Sequence, residues 1–140
     1  MKDRVFYDTN ILVYLYSNDD IDKREIALHF LKNTDAVIST QVLNELSNTL
    51  LKKVGLSTKE VMLIIKNISE FTTIVEVNLQ CINQALLLKE KYKYSYYDSL
   101  ILATALFKKC KYVYSEDMQN NQKINNRLII ENIFTKNKPE

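Results

Sequence analysis

The residues most able to do chemistry in this chain are four carboxylates far apart in sequence: Asp8, Glu45, Asp98 and Asp117. Asp8 closes Val5-Phe6-Tyr7, an apolar run that reads as a short strand buried on both faces, and a helical apolar pattern follows from Ile11. Asp117 comes just after Lys111-Tyr112-Val113-Tyr114-Ser115, a second strand-like run late in the chain. Glu45 and Asp98 stand in the early turns of helices, Glu45 off the apolar stripe of its own. If the strands are parallel, their carboxyl ends share one edge, and helices that follow strands begin there. All four acids can then meet in a single crevice, where open α/β sheets bind ligands.

Such a group needs neutralising. Two like charges about 4 Å apart repel by roughly 1 kcal/mol in water and by ~4 kcal/mol at an effective dielectric of 20. Protons or a cation relieve that repulsion. An all-oxygen donor set favours Mg²⁺ or Mn²⁺. Each acid also has a plainer reading. Asp8 could cap the helix after it, Asp98 could complete a capping box with Ser95, Asp117 could be a turn residue, and Glu45 could be a solvated surface acid. Four such readings would place acids on one edge by coincidence.

Composition narrows the chemistry further. His29 is the only histidine, which removes His-based triads and zinc–histidine sites. The only glycine is Gly55 and the only proline is Pro139, so neither a Walker sequence nor G-x-G-x-x-G can be written and nucleotide cofactors held by such loops are excluded. Few turn formers also favour helices alternating with strands over a turn-rich all-β fold. Cys81 and Cys110 have no close spacing and read as thiols of a reduced, cytoplasmic protein. Neither a signal-peptide core nor a membrane-length apolar run is present, so no membrane association is expected. A formal net charge of +2 over 140 residues says little by itself about nucleic acid.

The elements that must position the acids follow in order. Residues 11–16 form a short helix, and Asp22 with Glu25 suggests a capping box for the next. A strand over 36–39 passes into a helix over 40–53, which Gly55 ends. Ser57 with Glu60 caps another helix, residues 72–77 form a third strand, and Asn78 caps a helix running to Lys91. The segment Ser99–Phe107 is apolar nearly all round and is expected to be the most buried helix. A polar loop through 120–122 then leads to a last strand over 127–130. This predicts an α/β domain of residues 1–134, with a mostly parallel sheet of four or five strands flanked by helices and a frayed tail at 135–140.

Four pieces in this order carry a family resemblance: Asp8-Thr9-Asn10, Asn44-Glu45-Leu46, Tyr97-Asp98-Ser99-Leu100-Ile101-Leu102-Ala103-Thr104-Ala105, and Ser115-Glu116-Asp117. Together they resemble the PIN domain, and in particular the VapC-type toxins of bacterial toxin–antitoxin pairs, over nearly the whole chain. Where Ile133 stands the family usually has proline, a departure far from the acids. The resemblance implies a three-layer PIN-like fold and a metal-dependent ribonuclease using Mg²⁺ or Mn²⁺. Asp8, Glu45, Asp98 and Asp117 match its acidic site, with Asp8 and Asp98 as principal metal ligands. Asn10, Ser115 and Thr9 match supporting positions. It also implies in-line hydrolysis leaving a 5′-phosphate, a homodimer, and an antitoxin partner.

RNA is expected to approach over Lys91-Tyr92-Lys93-Tyr94-Ser95-Tyr96-Tyr97, where cations and rings alternate just before Asp98. Tyr94, Tyr96 and Lys93 are the contact candidates. The same tyrosines would equally suit a core boundary or a dimer interface. Lys52 and Lys53 read as a solvated helix end. Two rival functions remain: a PIN-like module that binds RNA or protein without cutting, and a phosphorylated receiver domain. The latter wants adjacent acids after the first strand and an aspartate after the third.

Overall fold

Val5, Phe6 and Tyr7 expose none of their surface, a state that suits only an interior strand. They form β1 (Arg4–Tyr7), which pairs in parallel with β2 (Asp35–Ser39) on one side and β4 (Tyr112–Tyr114) on the other. The computed structural model describes residues 1–136. Beyond β2 lies β3 (Thr73–Val75), and beyond β4 lie β6 (Leu128–Glu131) and β5 (Lys123–Ile124), giving the order β3-β2-β1-β4-β6-β5. Every pairing is parallel except β5 with β6. Six strands therefore replace the four or five expected. The addition is β5, only two residues long, in a stretch read as polar loop. So short a strand shows no alternation to read, and only its pairing with β6 defines it.

Helices flank this sheet. In chain order they are α1 (Thr9–Val13), α2 (Ile21–Lys32), α3 (Thr40–Thr49), α4 (Thr58–Phe71), α5 (Leu79–Tyr92), α6 (Tyr96–Phe107) and α7 (Ile133–Lys136). A 3₁₀ turn over Tyr14–Tyr16 prolongs α1, and a π turn over Leu50–Val54 prolongs α3. Gly55 ends that turn at φ +80°, donating its N–H to the Leu50 carbonyl. The left-handed backbone there costs other residues about 1–2 kcal/mol, which accounts for glycine at this position.

α6 buries every residue from Ser99 to Ala105. A side chain such as Leu102, fully buried, is worth ~1.5–3 kcal/mol relative to exposure. That anchorage fixes where the first turn of α6, with Asp98, emerges. Two caps follow the sequence reading: Ser57 and Glu60 form a reciprocal capping box on α4, and Asn78 caps α5. One differs. The cap of α2 is Asp20, whose carboxylate accepts from Lys23 N at 3.0 Å, while Asp22 lies inside the helix. The third strand is shorter than expected, covering only Thr73–Val75. The stretch expected to fray begins within α7, and residues 137–140 lie outside the described part.

Candidate active site

The strand order reverses at β1. From it the chain moves outward through β2 and β3, then returns to lay β4 on the other side. A crevice opens beyond the carboxyl ends at such a switch point. Two backbone bonds carry the sheet register one residue past the strand ends: Asp8 N donates to Tyr114 O at 3.0 Å, and Ser115 N to Glu131 O at 3.0 Å. Tyr7 pairs with Tyr114 in this ladder, so the next residues, Asp8 and Ser115, come side by side. Ser115 Oγ donates to Asp8 Oδ2 at 2.9 Å and accepts from Asp117 N at 3.3 Å.

Asp8 is also the N-cap of α1, its Oδ1 accepting from Thr9 N at 2.7 Å. The capping role and the crevice role coincide, one oxygen serving each. Asn10 bridges two acids, its Nδ2 donating to Asp117 Oδ2 at 3.0 Å and, more weakly, to Asp8 Oδ2 at 3.4 Å. Its Oδ1 accepts from Glu116 N at 3.2 Å, clamping the loop after β4. Glu45 reaches the site because α3 follows β2 without a loop, capped by Ser39. Thr9 Oγ1 donates to Glu45 Oε1 at 2.9 Å.

Asp98 arrives on the first turn of α6. Ser95 Oγ accepts from Asp98 N at 3.1 Å, which is half of a capping box. The returning half is absent, in contrast to Glu60, whose carboxylate accepts from Ser57 N at 2.9 Å. Aspartate is one methylene shorter than glutamate, so its carboxylate does not return a bond to the backbone N–H of Ser95; it stays beside the Ser95 hydroxyl and lines the crevice.

All four acids line one hollow of about 410 Å³, with Thr9, Asn10, Tyr14, Thr49 and Lys53 also in its wall. Asp8 is only 6% exposed. Burial, with the charges of Asp98 and Glu45, pushes its carboxyl up to about 6, against the pull of Ser115 and Thr9. Burial raises Asp98 as well, against the pull of the Ser95 hydroxyl and with a smaller push from the Asp117 charge. The donors are all carboxylate oxygens, and ionisation is resisted at Asp8 and Asp98, a set that fits a hard divalent cation. Among the described residues no three acidic, histidine or cysteine side chains stand close enough to enclose one ion as they are. Thr9 holds Glu45, and Asn10 spaces Asp117 from Asp8, so side-chain rotation would have to close the set.

Ser115 is fully buried, and its removal is informative. Ser115→Ala should raise the Asp8 carboxyl further, because a donor to the charged form is lost. It should also cost about 1–2 kcal/mol for the polar groups left unpaired. Carboxyl ¹³C shifts followed against pH, with urea unfolding, test both. An unmoved Asp8 titration would mean that this bond does not hold the carboxylate.

Two charged wall residues, Asp19 and Lys53, escape the sequence reading, as does the division of roles beside the wall between Glu116 and Asp117. Lys53, read as a solvated helix end, lies on the π turn, whose wider winding breaks the 3.6-residue phase used to assign faces. Glu116 turns away from Asp117 and pairs with Lys23, which also sits 5.0 Å from the Tyr14 ring centroid. Tyr14 OH donates to Glu116 Oε1 at 2.8 Å. Adjacent acids in Glu116-Asp117 gave no sign of this division.

The expected RNA contacts sort unevenly. The Tyr94 hydroxyl bonds Gln122 and accepts from Gln119 N at 3.1 Å, tying it to the loop after β4. Tyr96 is half-buried against the core. Lys93 ends α5 in the left-handed region at φ 66° and lies 3.8 Å from Glu90. The exposed ring of this stretch is Tyr97, at 62%.

Fold and crevice together define a class: an open, mostly parallel α/β domain whose carboxylates gather where the strand order reverses. The sequence matches the PIN domain over residues 5–123, and the chain belongs to that family. None of the curated proteins matches it. Among solved structures it is similar to a toxin–antitoxin complex from Klebsiella pneumoniae, at 20% identity and TM-score 0.69 over 89% of this chain and 95% of that one. It is similar to VapC20 of Mycobacterium tuberculosis, described as a sarcin-ricin loop cleaving toxin, at 21% identity and TM-score 0.65 over 81% and 89%. VapBC2 of Rickettsia felis, bound to a DNA fragment from its promoter, gives 20% identity and TM-score 0.67 over 91% and 97%. At these identities the likeness is one of fold. Among the described residues no helix is long and apolar enough to cross a membrane.

Proposed function

We propose that this chain is a metal-dependent endoribonuclease and the toxin of a type II toxin–antitoxin pair. The observation that supports this most is the buried Asp8, raised to about 6 in a crevice it shares with Glu45, Asp98 and Asp117. In this reading Asp8 and Asp98 hold Mg²⁺ or Mn²⁺, with Glu45 and Asp117 completing the site directly or through water. When bound, the ion supplies positive charge that polarises a phosphodiester and acidifies a nearby water. The chain's own part is orientation. Ser115 and Thr9 N fix the Asp8 carboxylate, Asn10 sets its distance from Asp117, and Lys53 faces the approaching phosphate. Neighbours of this fold include a cleaving toxin and complexes with antitoxins. A second copy of this chain and an antitoxin are accordingly the partners proposed here, in a cytoplasmic setting.

Incubation with total RNA tests the proposal. Cleavage is expected with Mg²⁺ or Mn²⁺ and none with chelator. Cleavage that persists undiminished in chelator would overturn it.

A binding module without chemistry is the second reading, favoured by the absence of a ready-made ion cage among the described residues. It requires RNA to be bound intact at saturating Mg²⁺. The receiver reading has no such support: β3 is an edge strand ending at Val75, with β2 between it and the switch point.

A further inference from the structure

A second hollow, of about 440 Å³, adjoins the acidic crevice, and Glu45 lines both. Its wall is one stripe of α3: Gln41, Asn44 and Asn48, spaced so that their side chains share a face. Val77 and Leu100 supply apolar surface, and Tyr97, next in sequence to Asp98, stands at the side. Among the described residues no lysine or arginine lines it. Lys53 lines the neighbouring crevice instead.

Gln41 carries an unusual feature. It is 9% exposed, and its Nε2 donates to the Tyr97 carbonyl at 3.1 Å. That bond fixes the amide's orientation, since a flipped group would set oxygen against oxygen. The Oε1 atom is buried and accepts nothing from the described residues. An acceptor left so costs about 1–3 kcal/mol. The side-chain amides of Asn44 and Asn48 are exposed, and neither has a hydrogen-bond partner among the described residues.

We propose that this hollow takes an unpaired nucleobase flanking the scissile phosphate of single-stranded RNA. The proposal rests on the nuclease reading above and names how that site chooses its substrate. The absence of cations suits an uncharged base, while the phosphate lies over the adjoining crevice with Lys53. Tyr97 offers a ring face for stacking, and the amides offer paired donors and acceptors to a base edge. The Gln41 Oε1 is covered in this state. A base N–H that entered the hollow and displaced this cover would give it a donor.

Two measurements test this. In the first, the side-chain amide signals of Gln41, Asn44 and Asn48 are followed by NMR during titration with each of the four nucleoside 5′-monophosphates and with ribose 5-phosphate. The expected result is movement with at least one nucleotide and none with the sugar phosphate, and a Kd about tenfold weaker in Tyr97→Ala. In the second, wild type and the Tyr97→Ala and Asn48→Ala variants cleave a randomised RNA. Both variants should raise KM and flatten the base preference beside the cut. Amides that respond to no nucleotide, or a preference unchanged in both variants, overturn the pocket even if cleavage is robust. If RNA is not cleaved at all, the nuclease reading fails and the titration alone decides the pocket. A Tyr97→Ala variant that sediments as a smaller species and binds nucleotides as wild type does would make this face a contact between copies of the chain, against the proposal.

Discussion

Asp8→Asn is expected to abolish metal-dependent RNA cleavage, by at least about a thousandfold, while leaving the fold intact and the metal-free protein more stable. The loss follows from position. Asp8 is the most buried of the four acids and the only one tied to both β1 and β4, through Tyr114 O and Ser115 Oγ. A fixed charge in such a water-poor site acts on the reaction far more strongly than in solvent, and a thousandfold corresponds to about 4 kcal/mol of barrier. Retention of the fold follows from capping. Asparagine is as good an N-cap as aspartate, so the bond from Thr9 N survives. The gain in stability comes from deleting a buried anion that faces Asp98 and Glu45. Cleavage assays with circular dichroism melting in chelator read all three outcomes. Were Asp8 only a helix cap, the asparagine variant would cut RNA at the wild-type rate, and that result would sink the proposed function.

Much of this arrangement is legible in the sequence because the strongest local signals belong to the elements that carry the acids. Three consecutive buried residues define β1, and seven define α6, so the points where Asp8 and Asp98 leave the core can be read from apolar runs alone. Ser57, Gly55 and Asn78 stand out as caps because each is a residue type suited to a particular backbone geometry. β5 is hidden for the opposite reason, since its two residues take their conformation from pairing with β6.

Within the site, what stays hidden is set by distance across the chain. That Asn10 would lie between Asp8 and Asp117 depends on the β1–β4 register, which no local pattern encodes. The choice between Glu116 and Asp117 is made by Lys23, some ninety positions earlier, together with Tyr14. Lys53 and Gln41 escape a reading by periodicity. One sits where the helix widens into a π turn, and the other is a polar residue on a buried flank, where a 3.6-residue count expects an apolar side chain.

The second large effect expected is on stability, and its sign depends on the cation. The Asp8 carboxyl ionises near 3.8 in an unfolded chain and at about 6 in the folded one. Folded protein therefore binds this proton more readily between those values. The stabilisation is complete below the lower pKa and is lost as pH rises through the upper one, a change of about 3 kcal/mol for roughly two units. Asp98 is raised as well and contributes in the same direction. The Glu60 carboxyl, lowered by Ser57, acts oppositely at the acid end, so the informative quantity is wild type minus Asp8→Asn. Urea unfolding in chelator should show that difference growing unfavourable to wild type between pH ~4 and ~7. Mg²⁺ reverses it, because an ion bound only by the folded, ionised acids stabilises by RT ln(1 + [L]/Kd), about 2.7 kcal/mol at a hundredfold excess over Kd. Wild type should thus gain from millimolar Mg²⁺ at neutral pH and the variant hardly at all. A metal-free wild type that instead grows steadily more stable than Asp8→Asn as pH rises would mean that neither burial nor the neighbouring acids penalise the Asp8 anion, and the crevice would lose its reason to bind a cation.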